Sequence, residues 1–139
     1  MTTASTSGPS TGPLAAAISE AVVRLLRKHT GRGPRQTRTT IDENLVVSVL
    51  RDTLTTGERT LLDGGQTELV LDVRRQHHRL MRADLVATVE ALTGRRVSAF
   101  LCDTHVDPDI AVEVFILDGP PDAAGAAPDA AALPVERRP

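Results

Sequence analysis

Side chains able to bind or react with a partner are concentrated in three places of this chain. The first is His29-Thr30-Gly31-Arg32-Gly33-Pro34-Arg35. Its glycines free the backbone to approach an anion, and its two arginines can grip a carboxylate or phosphate through paired N–H groups. Together with Arg75, the residues Arg32, Gly33 and Arg35 are the expected contacts of an anion or nucleotide. The loop lacks the lysine and hydroxyl pattern of a phosphate-binding P-loop, and a helix C-cap followed by a turn explains the same residues more simply. The second place holds Cys102, Asp103, His105, Asp107 and Asp109, with His77 and His78 as further candidate ligands. Their spacing matches no recognisable metal site, so a solvated hairpin loop is the preferred reading and no metal or cofactor is expected. The third is the row Arg75, Arg79 and Arg82, with Arg74 beside it, which can meet phosphates or pair with Glu68 and Asp72 along the same helix. No nucleophile stands beside a base, and there is no paired-histidine metal motif or dinucleotide fingerprint, so a non-enzyme is the expected class.

The elements that must position these groups are legible from periodicity. From Gln66 to Thr93, Leu69, Val70, Val73, His77, Leu80, Met81, Leu85, Val89 and Leu92 recur at spacings of three and four. That is one apolar stripe on one long helix, with His77 on it as a core or interface histidine. Pro13 to His29 forms a first helix with the stripe Leu14, Ile18, Val22, Leu25 and Leu26. Its last turn is basic and Gly31 stops it. Thr55 and Glu58 have capping-box spacing and open a short helix that ends at Asp63-Gly64-Gly65. Strands are expected at Arg35–Ile41, Asn44–Leu50, Val97–Cys102 and Ile110–Leu117, with Asp103 to Asp109 as a connecting loop. The order α-β-β-α-α-β-β predicts an α+β two-layer sandwich, with about four strands in a mainly antiparallel sheet and the long helix on one face. Parallel pairing of neighbouring hairpins stays open.

Composition narrows the functional classes. The segments 1–12 and 119–139 are rich in Ser, Thr, Gly, Pro and Ala and are expected to be disordered tails around a domain at 13–118. Aromatic residues make up 1% of the chain, which argues against platforms that stack on single-stranded bases. A single cysteine excludes an intrachain disulfide and fits a reducing cytoplasm. No apolar run reaches the roughly eighteen residues a spanning helix needs, and no signal peptide is recognised, so a cytoplasmic protein without membrane insertion is expected. The net charge is −2, but the six Lys and Arg residues between Ala21 and Thr40 stand without an acid, and the seven acids between Leu101 and Ala130 without a Lys or Arg. Such asymmetry can draw an anion or bring two subunits together; nucleic acid is the less expected partner.

The last strand alternates Ile110, Val112, Val114 and Ile116 on one side with Ala111, Phe115 and Leu117 on the other, where only Glu113 is polar. Helices cover one face of such a sheet. The other is expected to be covered by a second copy, giving a homo-oligomer, a dimer in the first instance, with Phe100, Phe115 and Leu117 as interface residues.

The order of Gly31-Arg32-Gly33-Pro34, Leu54-Thr55-Thr56-Gly57-Glu58, Arg75, Gly94-Arg95-Arg96-Val97, Asp103 and Val114-Phe115-Ile116-Leu117 resembles a small bacterial family, the MpsC-like domain. The resemblance spans about Leu14 to Asp118. It implies a cytosolic accessory or regulatory protein associated with sodium or bicarbonate uptake, with a membrane transporter subunit as a partner. The family offers no catalytic residues to carry across.

Overall fold

A computed structural model describes residues 11–122 of the chain. Three helices and four strands follow one another as α1 (Thr11–Thr30), β1 (Gln36–Asp42), β2 (Leu45–Arg51), α2 (Thr56–Asp63), α3 (Thr67–Thr93), β3 (Val97–Val106) and β4 (Asp109–Leu117). The α+β order expected from the sequence is the observed one. All strand pairs are antiparallel and the sheet order is β1-β2-β4-β3, so β4 inserts between the first hairpin and its own partner β3.

Local chemistry accounts for the element boundaries. The capping box at α2 is complete: Glu58 N donates to Thr55 Oγ1 at 3.1 Å and Thr55 N donates to Glu58 Oε1 at 2.8 Å. The long helix ends at Gly94, whose φ of 71° is left-handed and whose N–H reaches Glu90 O. A Cβ at Gly94 would also come within 3.0 Å of Asp122 Cβ. Gly94→Ala is therefore expected to cost about 1–2 kcal/mol, read as a lower urea midpoint with an unchanged slope.

Two boundaries differ from expectation. The region read as a loop after Cys102 is strand: β3 continues to Val106 and pairs with β4 down to Asp109. Side chains then alternate across the sheet, which separates Cys102 and Thr104 from Asp103 and His105 and removes the crowding seen in the sequence. The chain after β4 also stays with the domain as far as it is described, because Asp122 N donates to Thr93 O at 2.8 Å. The remainder of the two expected tails lies outside the described residues.

The core lies between the sheet and α1 and α3. Leu14, Ile18, Val22, Leu25 and Leu26 from α1 meet Met81, Leu85, Val89 and Leu92 from α3 over Ile41, Val46, Leu50, Ala111, Phe115 and Leu117. Phe100 and Phe115 are neighbours across β3 and β4, with ring centroids 4.9 Å apart. This corrects the interface expectation for Phe100, Phe115 and Leu117, which are 7%, 0% and 1% exposed and lie under the helices of their own chain.

Among the described residues no helix covers the opposite face. There the register places Leu45 beside Ile116, Val47 beside Val114, and Val49 beside Val112, with Leu101 next to Val114 on the edge strand. Leu101 is 58% exposed. The expectation of a second apolar sheet face stands, but these are the residues that form it.

Candidate functional site

Several chain segments meet in one charged network at the end of the sheet. Arg74 of α3 is 2% exposed, and its guanidinium donates from Nη1 to Glu58 Oε1 at 3.1 Å and from Nη2 to Thr53 Oγ1 at 3.0 Å. Thr53 in turn donates to Asp109 Oδ1 through both its N–H and its hydroxyl, while Leu54 N donates to Asp109 Oδ2. Arg59 bridges Asp109 and Asp52, and Arg32 pairs with Asp52 at 3.0 Å and donates to Leu54 O. Asp52 turns the chain with a left-handed φ of 62°. The Arg32 hydrogen bond, aided by Arg59, holds its carboxyl below the usual carboxylate range.

This geometry reassigns the expected anion loop. Arg32 is committed to Asp52 and Leu54, and the end of the Arg27 side chain lies over Gly33, where a Cβ would stand 2.9 Å from its Nη2. Arg35 is exposed and opens β1 through a backbone bond to Arg51. Arg75 lines a different cleft from Arg35 and sits 3.7 Å from Asp72 on the surface of α3.

A second polar cluster lies inside the sandwich. One cross-strand row on the helix-facing side reads Thr39, Ser48, Glu113 and Cys102 from β1 to β3. Ser19 of α1 joins it through hydroxyl contacts of 2.7 Å to Thr39 and, from Thr39, 2.8 Å to Ser48. Glu113 is 1% exposed, and neither carboxylate oxygen has a hydrogen-bond partner among the described residues. Burial raises its carboxyl to about 7, opposed by Arg74. His78 Nε2 stands 3.8 Å away, and burial with the charges of Arg74 and His77 lowers that imidazole to about 4. At neutral pH the histidine is uncharged, so the contact is no ion pair. Burial and Glu113 also raise the Cys102 thiol to about 11, which makes it a poor nucleophile.

Between α3 and β3, His78 and Cys102 of this cluster border an open cleft of about 520 Å³. Arg74, Arg75, His78, Arg79 and Arg82 approach it from the helix, and Phe100, Cys102, Asp103 and Thr104 from the strand. Arg82 lies 5.2 Å over the Phe100 ring and donates from Nη1 to Phe100 O at 3.3 Å. The row Arg75, Arg79 and Arg82, with Arg74 beside it, is legible in the sequence, but the burial of Arg74 and His78 behind it is not. The inward row of α3 runs Val70, Arg74, His78, Met81, Leu85, Val89 and Leu92, with Leu69 and Leu80 turned out at 47% and 70% exposure. His78, rather than His77, is the buried histidine. Spacing carried that signal, but an arginine and a histidine on a core row do not register as apolar.

The match to known proteins covers nearly all of this fold. The profile of the family described as "Na+-translocating membrane potential-generating system (MpsC)" matches residues 10–119. The chain belongs to the MpsC family. An MpsC-family chain of this kind is also similar to the uncharacterized protein YrhF of Bacillus subtilis (strain 168), at 28% identity over 107 residues, covering 70% of this chain and 82% of that protein. No solved structure matches the chain. Among the described residues no helix is long and apolar enough to cross a membrane.

Proposed function

We propose that this MpsC-family chain is a non-enzymatic accessory or regulatory component of a sodium-translocating, membrane-potential-generating system. It acts from the cytoplasm as a homodimer and docks on a protein partner such as a transporter subunit. The observation that carries the reading is the helix-free sheet face, with Leu45, Val47, Val49, Val112, Val114 and Ile116 in its two central strands. An apolar patch of this kind is stable when another sheet packs on it at about 10 Å.

A second copy fits that face by charge as well as by apolarity. Arg38, Val49, Val112 and Asp103 form one register row across β1, β2, β4 and β3. A two-fold axis parallel to the strands lays β1 of one copy over β3 of the other, so Arg38 meets Asp103 and Val49 meets Val112 twice over. An isologous contact gains each such pair in duplicate. The family description supplies the transport setting, and the basic rows on α1 and α3 leave surface for a further partner outside the dimer face.

Light scattering tests the assembly. The wild type is expected at about twice the 14.8 kDa chain mass at micromolar concentration, and Val112→Glu at the chain mass with its helical circular dichroism retained. Arg38→Asp should weaken the dimer, and adding Asp103→Arg should restore it. A wild type that stays monomeric at that concentration removes the dimer from the proposal.

A further inference from the structure

We propose that the cleft between α3 and β3 binds a small oxyanion, the phosphate or carboxylate group of a low-molecular-weight ligand. This goes beyond the assembly reading and rests on the helix side of the sheet; the two share only the edge-strand residue Asp103, so either can fail alone.

Three observations converge on the cleft. At its inner wall, Arg74 is 2% exposed and spends Nη1 and Nη2 on Glu58 and Thr53, but its Nε–H has no acceptor among the described residues. A buried, charged donor left without an acceptor is costly unless something fills the place. Across the cleft, Thr104 Oγ1 is likewise buried and without a partner among the described residues. Arg74 and Thr104, the residues that carry these two orphaned donors, thus line one cleft from two elements.

The third observation is charge. Arg75, Arg79 and Arg82 stand on the same side of α3 at helical spacing and line the outer part of the cleft. Arg79 donates to Gln76 Oε1 and Arg82 to Phe100 O, both neutral acceptors. Asp103 is the single acid in the lining and lies on the edge strand. Four guanidiniums around a recess of about 520 Å³ suit an anionic group of metabolite size, and the Phe100 and Leu71 walls suit a short apolar body attached to it. A polyanion is the poorer fit, because the whole chain is net negative.

Thermal unfolding of the full chain with inorganic phosphate, succinate or ADP, at constant ionic strength against sodium chloride, tests the site. At least one of the three should raise Tm by roughly 5 °C at ten times its dissociation constant. The Arg75→Gln/Arg79→Gln variant, altered only at exposed positions, should weaken that binding at least tenfold by titration calorimetry, while Arg38→Gln on the far face should not change it. A response to phosphate or ADP identifies a phosphoryl ligand, and one to succinate a carboxylate. A shift no larger than that of chloride, a shift that survives in the double variant, or binding of a DNA duplex with no response to the small anions would overturn the proposal.

Discussion

Glu58→Ala is expected to destabilise the domain by about 3–5 kcal/mol, because it strands the buried Arg74 charge and removes half of the α2 capping box in one step. Glu58 is 7% exposed, and its Oε1 serves both Arg74 Nη1 and Thr55 N. The cost comes chiefly from the unpaired guanidinium, so removing both charges should repair much of it. Glu58→Leu combined with Arg74→Met is expected to regain most of the lost stability, since packed apolar groups carry no desolvation penalty. Urea denaturation of the single and double variants measures the difference. A loss below about 1 kcal/mol for Glu58→Ala would mean that α2 is held to α3 by something other than this pair.

Glu113→Gln is expected to separate from the wild type as pH rises, by about 3 kcal/mol at pH 7.5 and by almost nothing at pH 4.5. The folded carboxyl is raised to about 7 from an ordinary value of 4.5. Its contribution is therefore fully present below the ordinary value and is lost as pH climbs through the folded one. His78 works in the opposite sense: its folded value is lowered to about 4 from 6.5, so its contribution is present above 6.5 and is lost as pH falls. Between about pH 4.5 and 6.5 the two slopes cancel in the wild type, which should show a plateau. Glu113→Gln leaves the His78 slope alone and should gain stability across the same range. Urea midpoints at four or five pH values read both curves, and a parallel pair would show that Glu113 ionises freely in the folded chain.

The resemblance to the MpsC family rested on short motifs, and the structure gives several of them one physical reason. Arg32 and the Leu54 to Glu58 segment belong to the network that joins the α1 loop, β2, α2, α3 and β4. Arg32 looks like an anion contact in sequence because nothing local supplies its acid. Asp52 does so from a distant part of the chain, through a left-handed turn no motif announces.

From the order of residues alone came the seven elements, the capping box at Thr55, the glycine stop at Gly94 and the alternation that gives the sheet two apolar faces. Each depends on neighbours within a turn or a hairpin, which is the range over which spacing fixes geometry. Which apolar face the helices cover depended on how α1 and α3 dock, and that assigned Phe100, Phe115 and Leu117 to the core and left Val47, Val49, Val112 and Val114 outside. The burial of Arg74, His78 and Glu113 was decided in the same way. Their surroundings come from strands and helices far apart in sequence, and a charge can be tolerated inside only where such partners, or an empty place for one, have been assembled.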